Sequence, residues 1–356
     1  MRFFDLRFRC LFLAGAFLFL CRLAQAVAPL EYSGGVWKKA TYSCVIRSII
    51  EDPKGNLWIG TFGAGLWKYD GRSVASIPAD PSGIPDPRMS KLLLDKGRVL
   101  VATAGGGAAA YDPRKKKWAP LSGAFKLASA HFHAFNHLAD GTFLLGSVGE
   151  GVLIGKDSHW LQLTESEGLT NDWVNDALEL PEGILLATSQ GLSLVRDGRV
   201  VDAFLPTSGW ADGNINALCR FQSRIFLGHA SSGLSALTFA PLSANGASGK
   251  KALAGRQKPI FEQIPGMPAQ IHAFQEFEGS LYVASEVGLY AITPDLKTDK
   301  VPGKWPSDCA IKALGLYKSE LVVGTADGEV YIGRPSGEWR RIFAHAEFIP
   351  RGGSDR

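Results

Sequence analysis

The sequence predicts an all-β fold: a seven-bladed β-propeller of four-stranded antiparallel blades, preceded by a signal peptide. Three observations carry that reading. One pattern recurs seven times, an apolar run followed by a small residue and then Thr, Ser or, once, His, as in Leu57-Trp-Ile-Gly-Thr61. It returns at Val99–Thr103, Phe143–Ser147, Ile184–Thr188, Ile225–His229, Leu281–Ser285 and Leu321–Thr325, at intervals of 42, 44, 41, 41, 56 and 40 residues. A period near forty with several short strands per unit marks propeller blades. Next, a hydrophobic content of 46% alongside 41 Gly suits short strands joined by tight turns. Finally, each run is almost continuously apolar, as in a sheet covered on both faces, which a ring of blades provides and a lone sheet does not.

The N-terminal element is an export signal over residues 1–26. Arg2, Arg7 and Arg9 form a basic start, Cys10 to Cys21 an apolar run, and Ala24-Gln-Ala26 a small-x-small cleavage signal. The run is short for a membrane span, although Arg22 does not forbid an uncleaved anchor, and that alternative stays open. Cleavage near Ala26 implies a periplasmic or secreted bacterial protein with no membrane span. Residues 1–26 hold four Arg and one Asp, so the rest of the chain carries +1 rather than +4. That balance calls for neither nucleic acid nor an anionic membrane.

Residues 27–35 are expected as linker, 36–346 as the propeller and 347–356 as a C-terminal tail. In each repeat a short strand such as Val45–Ile49 would line the central channel. A polar turn, Glu51–Asn56 in the first repeat, leads to the apolar second strand, and Phe62–Gly65 to the third. The outer strand often holds a Trp, as at Trp118, Trp160 and Trp339. Val36–Ala40 and Glu338–Ile342 both read as outer strands, which leaves open which terminus completes the last blade. Cys44 and Cys309 precede the inner strands of blades 1 and 7, and either bridge that closure or stay free; Cys219 reads as a small buried side chain. The long interval contains a flexible insertion, residues 241–258, in the fifth blade. Its Lys250, Lys251, Arg256 and Lys258, like Arg114–Lys117, read as solvated basic loops, with an anionic partner the minority reading.

The segment Ile49-Ile-Glu-Asp-Pro-Lys-Gly-Asn-Leu-Trp-Ile-Gly-Thr-Phe-Gly-Ala-Gly-Leu-Trp-Lys-Tyr-Asp70 resembles the two-component regulator propeller repeat. The match is close in the first repeat and partial elsewhere: Gly191-Leu192, Gly233-Leu234 and Gly288-Leu289 are kept, while the Trp at the Trp58 position is lost. The resemblance implies the propeller fold and a periplasmic, sensor-type domain without catalysis, whose ligands include saccharides. As no kinase or output segment follows Arg356, such a sensor is expected to signal through a separate membrane-bound protein.

Superposing the repeats isolates one polar position on each inner strand: Arg47, Ser90, His133, Asn175, Asn216, His272 and Lys312. The residue before each is apolar: Ile46, Met89, Phe132, Val174, Ile215, Ile271 and Ile311. Strand side chains alternate in direction, so one set packs while the other faces the channel. The candidate ligand site is Arg47, His133, Asn175, Asn216, His272 and Lys312, with Glu150, Gln190 and Glu286 on surrounding loops. A channel mouth that is polar only because water fills it is the competing account. Arg47 and Lys312 favour a carboxylate or other anion, and His133 and His272 suggest pH-dependent affinity. Two other classes stay open. A protein-interaction scaffold would use a broad face, with Phe62 or Trp67. A metal-dependent lyase similar to the streptogramin lyases, also seven-bladed, would use His272 and Glu286 to hold Mg²⁺, with a second His as base; Asn216 stands where that base is expected, and His229 is the substitute. No cofactor is expected otherwise, with Mg²⁺ or Ca²⁺ the minor alternative. His131, His133 and His137 have metal-like spacing but no further ligand nearby.

Overall fold

The computed structural model describes residues 30–33, 36–39, 44–77, 86–121, 131–156, 159–206, 210, 212–239, 259–305 and 309–345. The signal segment 1–26, the insertion 241–258 and the tail 347–356 lie outside the described residues. Seven four-stranded antiparallel sheets follow one another along the chain, each in simple sequential order. Blade 1 runs Val45–Glu51, Leu57–Phe62, Gly65–Tyr69 and Val74–Ile77. Blade 7 runs Ile311–Tyr317, Glu320–Thr325, Glu329–Gly333 and Trp339–Ala344. The inner strands between them are Met89–Asp95, Phe132–His137, Val174–Leu180, Ile215–Phe221 and Ile271–Phe277. One 3₁₀ turn, Glu165–Glu167, interrupts the β-structure. Among the described residues no helix is long and apolar enough to cross a membrane.

The recurring motif has a structural cause at each place. Its apolar residues are the cores between blades. Seven buried clusters lie one in each junction, for example Trp58, Leu66 and Val99 between blades 1 and 2, and Phe226, Ile271 and Val283 between blades 5 and 6. Its small residue is where the next blade approaches most closely. A Cβ on Gly146 would meet the Val174 carbonyl oxygen at 2.7 Å, one on Gly228 would meet Ile271 Cγ2 at 2.6 Å, and one on Gly324 would meet Ile46 Cγ2 at 2.4 Å. Its Thr or Ser ties down the following hairpin. Thr61 Oγ1 donates to the Gly65 carbonyl at 2.9 Å and accepts from the Ala64 amide at 2.9 Å, and Thr103, Ser147, Thr188 and Ser285 repeat the arrangement. His229, the one exception, is fully buried; its Nδ1 lies 2.8 Å from the Asp212 carbonyl and its Nε2 contacts the Ser235 hydroxyl.

Among the described residues the ring closes without exchange of strands. Trp339–Ala344 pairs with Glu329–Gly333 and completes blade 7 from its own segment. Val36–Lys39 pairs with Leu30–Ser33 in a separate hairpin, so the candidate N-terminal outer strand joins no blade, and part of the expected linker is a strand. Closure instead rests on an apolar junction: Ile46, Ile49 and Ile59 of blade 1 pack with Ala313, Val322 and Ile332 of blade 7. The backbone amide of Lys318 also donates to Glu51 Oε2 at 3.0 Å. No disulfide clips this junction, since Cys44 and Cys309 are both free. Cys44 Sγ lies 3.6 Å from His345 Nε2, while Cys309 Sγ lies 3.3 Å from Asp327 Oδ2, so the two thiols have separate partners. Trp67, considered for a docking face, is buried against Phe343 and is unavailable.

The closing junction is therefore the place to test the fold. Gly324→Ala forces a Cβ onto Ile46, and overpacking of this kind costs about 1–3 kcal/mol. A lower thermal midpoint is expected for that variant. Gly337→Ala, whose Cβ would meet nothing nearer than 3.8 Å, should leave the midpoint unchanged.

Candidate functional site

Each inner strand carries a β-bulge, and the bulged residue is the polar one. In blade 1 the register passes from Ile46 opposite Thr61 to Ser48 opposite Gly60, so Arg47 has no cross-strand partner. The same slip leaves Ser90, His133, Asn175, Asn216, His272 and Lys312 unpaired in blades 2 to 7. A bulge inserts one extra residue, bends its strand and re-aims that side chain. The preceding residues, from Ile46 to Ile311, are 0–1% exposed and anchor the strand in the junctions. The seven bulged side chains thus leave the packed sheets and converge.

They converge on one cavity of about 300 Å³, lined by all seven together with Lys91, Trp173 and Asn214. The three additional residues also follow from the strand pattern. Trp173 and Asn214 stand two positions before a bulged residue, on the same side of an extended chain, and Lys91 stands one after. The spacing rule applied backward along each strand finds the first two; nothing in the sequence alone distinguishes Lys91.

The bulged residues divide into two kinds. Ser90, Asn175 and Asn216 lace neighbouring blades. Ser90 Oγ donates to the Phe132 carbonyl at 2.5 Å, Asn175 Nδ2 to the Ile215 carbonyl at 3.0 Å and Asn216 Nδ2 to the Ile271 carbonyl at 3.0 Å. Each reaches the residue that precedes the next blade's bulge. The other four, Arg47, His133, His272 and Lys312, present charged or titratable side chains to the cavity, with His133 Nδ1 also 3.4 Å from Asn175 Oδ1. Lys312 Nζ lies 2.9 Å from His272 Nε2. The Arg47 guanidinium sits 5.5 Å from the centre of the Phe62 ring.

The electrostatics of the cavity are one-sided. Arg47, Lys91 and Lys312 line it, and among the described residues no carboxylate does. Lys91 has a distant partner in Asp176, at 4.0 Å. Burial lowers Arg47 from its usual range; burial and then the Arg47 charge lower Lys312, with Glu286 opposing. Burial, reinforced by Arg47 and His131, pushes His133 down to about 4. Burial, reinforced by Lys312 and Arg47, pushes His272 down to about 3. Both imidazoles are therefore held toward the neutral form near pH 7.

Three expected loop residues, Glu150, Gln190 and Glu286, are not among the residues that line the cavity. The Glu150 and Gln190 amides donate to Ser147 Oγ and Thr188 Oγ1 within their hairpin turns. Glu286 Oε2 accepts the Gln270 amide at 2.8 Å. The constellation needed to hold Mg²⁺ is not assembled either. His272 faces a lysine ammonium, Glu286 is turned to the backbone, and His229 is buried with both ring nitrogens engaged. Among the described residues no group of three His, Cys, Asp or Glu could hold a metal ion.

Fold and cavity together define a seven-bladed propeller with a polar, cationic central site. Residues 43–63 match the family model described as two component regulator propeller, in the blade where the motif is fullest, and the chain resembles that family. Among solved structures, the extracellular domain of B. thetaiotaomicron BT4673, assigned to a one component system, superposes with a TM-score of 0.65 at 15% identity, covering 86% of this chain and 40% of that one. The extracellular domain of BT3049 from the same organism, assigned to a hybrid two component system, gives a TM-score of 0.65 at 18% identity, covering 83% and 40%. The chain thus spans about two fifths of those proteins. Virginiamycin B lyase from Staphylococcus aureus gives a TM-score of 0.62 at 10% identity, covering 81% and 94%. At these identities the likeness concerns the fold alone. A search of curated protein sequences finds no match.

The depressed histidines make a prediction about stability. Their folded values lie below the ordinary 6.5, so on acidification the unfolded chain takes up protons that the folded ring refuses. Stability should therefore fall as pH drops from about 6.5 toward 4, by about 1.4 kcal/mol per pH unit for each such group. Denaturant midpoints measured across that window should show the slope, and His133→Asn and His272→Asn should each reduce it.

Proposed function

We propose that this propeller is a sensor-type binding module that holds a small anion in its central cavity and works outside the cytoplasm with a membrane-bound signalling protein as its partner. The observation that carries the reading is the cavity wall itself: seven bulged polar residues, two of them the neighbouring cations Arg47 and Lys312, with no carboxylate among the described lining residues. Cations held in a partly desolvated cavity are a standing attraction for an anion, because charge-assisted hydrogen bonds strengthen where water is excluded. Arg47 offers a planar fork suited to a carboxylate and Lys312 a point charge beside it. The export signal read in residues 1–26 and the extracellular placement of the structural neighbours support the location. The match of residues 43–63 supports the sensor class.

The lyase reading has less support. Its metal would have to enter a cavity that already holds two or three positive charges, and its proposed ligands are otherwise occupied. A scaffold reading explains neither the cavity nor the convergence of charge.

A thermal-shift series separates the classes. Acetate and inorganic phosphate at millimolar concentration should raise the melting temperature of the wild-type chain, whereas glucose and Mg²⁺ should not. Calorimetry should show that Arg47→Ala and Lys312→Ala each weaken acetate binding about tenfold or more, as expected for the loss of a hydrogen bond to a charged group, while the melting temperature without ligand holds or rises. A shift with Mg²⁺ and none with anions would reverse the assignment.

A further inference from the structure

The anion reading leaves Trp173 unexplained. This residue lines the cavity yet is 42% exposed, an unusual state for the largest apolar side chain in a polar site. It is held in place: its Nε1 donates to His133 Nδ1 at 3.4 Å, and the two rings meet edge to face at 5.8 Å. Its backbone amide donates to Asn171 Oδ1 at 2.9 Å, and its carbonyl accepts the Ser189 amide at 3.0 Å. An indole held at its Nε1 edge and 42% exposed offers apolar surface to the cavity.

Its place in the ring matters as much as its exposure. Trp173 heads the inner strand of blade 4, next to Val174. In a ring of seven, the fourth blade faces the junction between the seventh and the first, where Lys312 and Arg47 stand. The cavity therefore has an apolar aromatic wall on one side and a cationic wall on the other. The side-chain amides of Asn175, Asn214 and Asn216, on blades 4 and 5, complete the lining. A volume of about 300 Å³ lies at the lower end for small-molecule sites, which suits one ring and an acid group and excludes an extended chain.

We infer, building on the anion reading above, that the ligand is a single ring bearing a carboxylate, with the carboxylate on Arg47 and Lys312 and a ring face on Trp173. Burying that indole face removes apolar surface from water, and aromatic contacts add specificity beyond the area covered. An aromatic acid and a sugar acid share this chemistry, because both present a flat apolar face and one carboxylate. Neither a bare small anion nor a neutral ring satisfies both walls.

Calorimetry on the full chain with benzoate, glucuronate, glucose and acetate tests the inference. At least one of the two ring acids should bind ten or more times tighter than acetate, and which one does identifies the source. Trp173→Ala should reduce that ring acid to the level of acetate while leaving acetate itself unchanged, and Trp173→Phe should retain most of the preference. Should the alanine variant fail to fold, Trp173→Leu, which keeps apolar bulk without a flat face, gives the same readout. Acetate binding within threefold of both ring acids, or a preference that survives Trp173→Ala or Trp173→Leu, overturns the inference and leaves the anion reading intact provided Arg47→Ala still weakens acetate. If the wild-type chain binds none of the acids, the inference and the anion reading fall together.

Discussion

No blade of this protein can bury both of its faces alone, and the whole molecule follows from that constraint. Each sheet is apolar on two sides, and each of the seven buried clusters is shared between two successive blades. The stabilising burial therefore belongs to junctions rather than to sheets, and an open array would leave two faces in water. Closure turns the first and last blades into neighbours and supplies the final junction, from Ile46 and Ile49 to Val322 and Ile332. Because blade 7 is completed by its own Trp339–Ala344, that junction holds through side-chain packing and a few hydrogen bonds, and among the described residues no exchanged strand or disulfide reinforces it.

The same packing creates the central site. Anchoring Ile46 and its six equivalents at 0–1% exposure fixes the start of each inner strand against its neighbour. The glycine or alanine on the second strand then lets the next blade approach. A bulge immediately after the anchor ejects one residue from the ladder, and sevenfold repetition gathers the ejected residues around one axis. Polarity at this position has two separable causes. Ser90, Asn175 and Asn216 are polar because the next blade's carbonyl needs a donor. Arg47, His133, His272 and Lys312 meet no such demand, and their polarity is the part that fold alone does not explain.

This division shows what the sequence could reveal. The architecture was legible because its determinant is periodic: apolar run, small residue, Thr or Ser, each tied to a packing or turn requirement that recurs in every blade. The convergence of seven polar residues was legible for the same reason. What escaped was specific to one place. Trp173 and Asn214 precede the bulge and lie outside the repeated motif, so superposing the repeats did not single them out. Glu150, Gln190 and Glu286 were chosen because their loops share an end of the ring, but the bonds of Glu286 Oε2 and of the Glu150 and Gln190 amides are local. The histidines looked like pH switches because the sequence does not show burial or the Arg47 charge, which together hold both in the neutral form. Closure was undecided because Val36–Ala40 and Glu338–Ile342 both carry a Trp followed by two basic residues, and only their pairing tells them apart.

The placement of the cations gives the last step. Arg47 and Lys312 stand on the two blades that meet at the closing junction, and the Arg47 charge disfavours the protonated form of Lys312. Like charges at a junction held by packing oppose closure, and burial raises that cost by removing water. A sequence shaped for stability alone would place a carboxylate there or a neutral side chain, as Ser90, Asn175 and Asn216 do elsewhere on the ring. Local rules are broken in folded proteins chiefly where function requires it. The repulsion is confined to the central cavity, and on the proposed reading an anion bound there would relieve it. On the proposed anion reading, the electrostatic fault in the ring and the affinity of the cavity are one property of the same two residues.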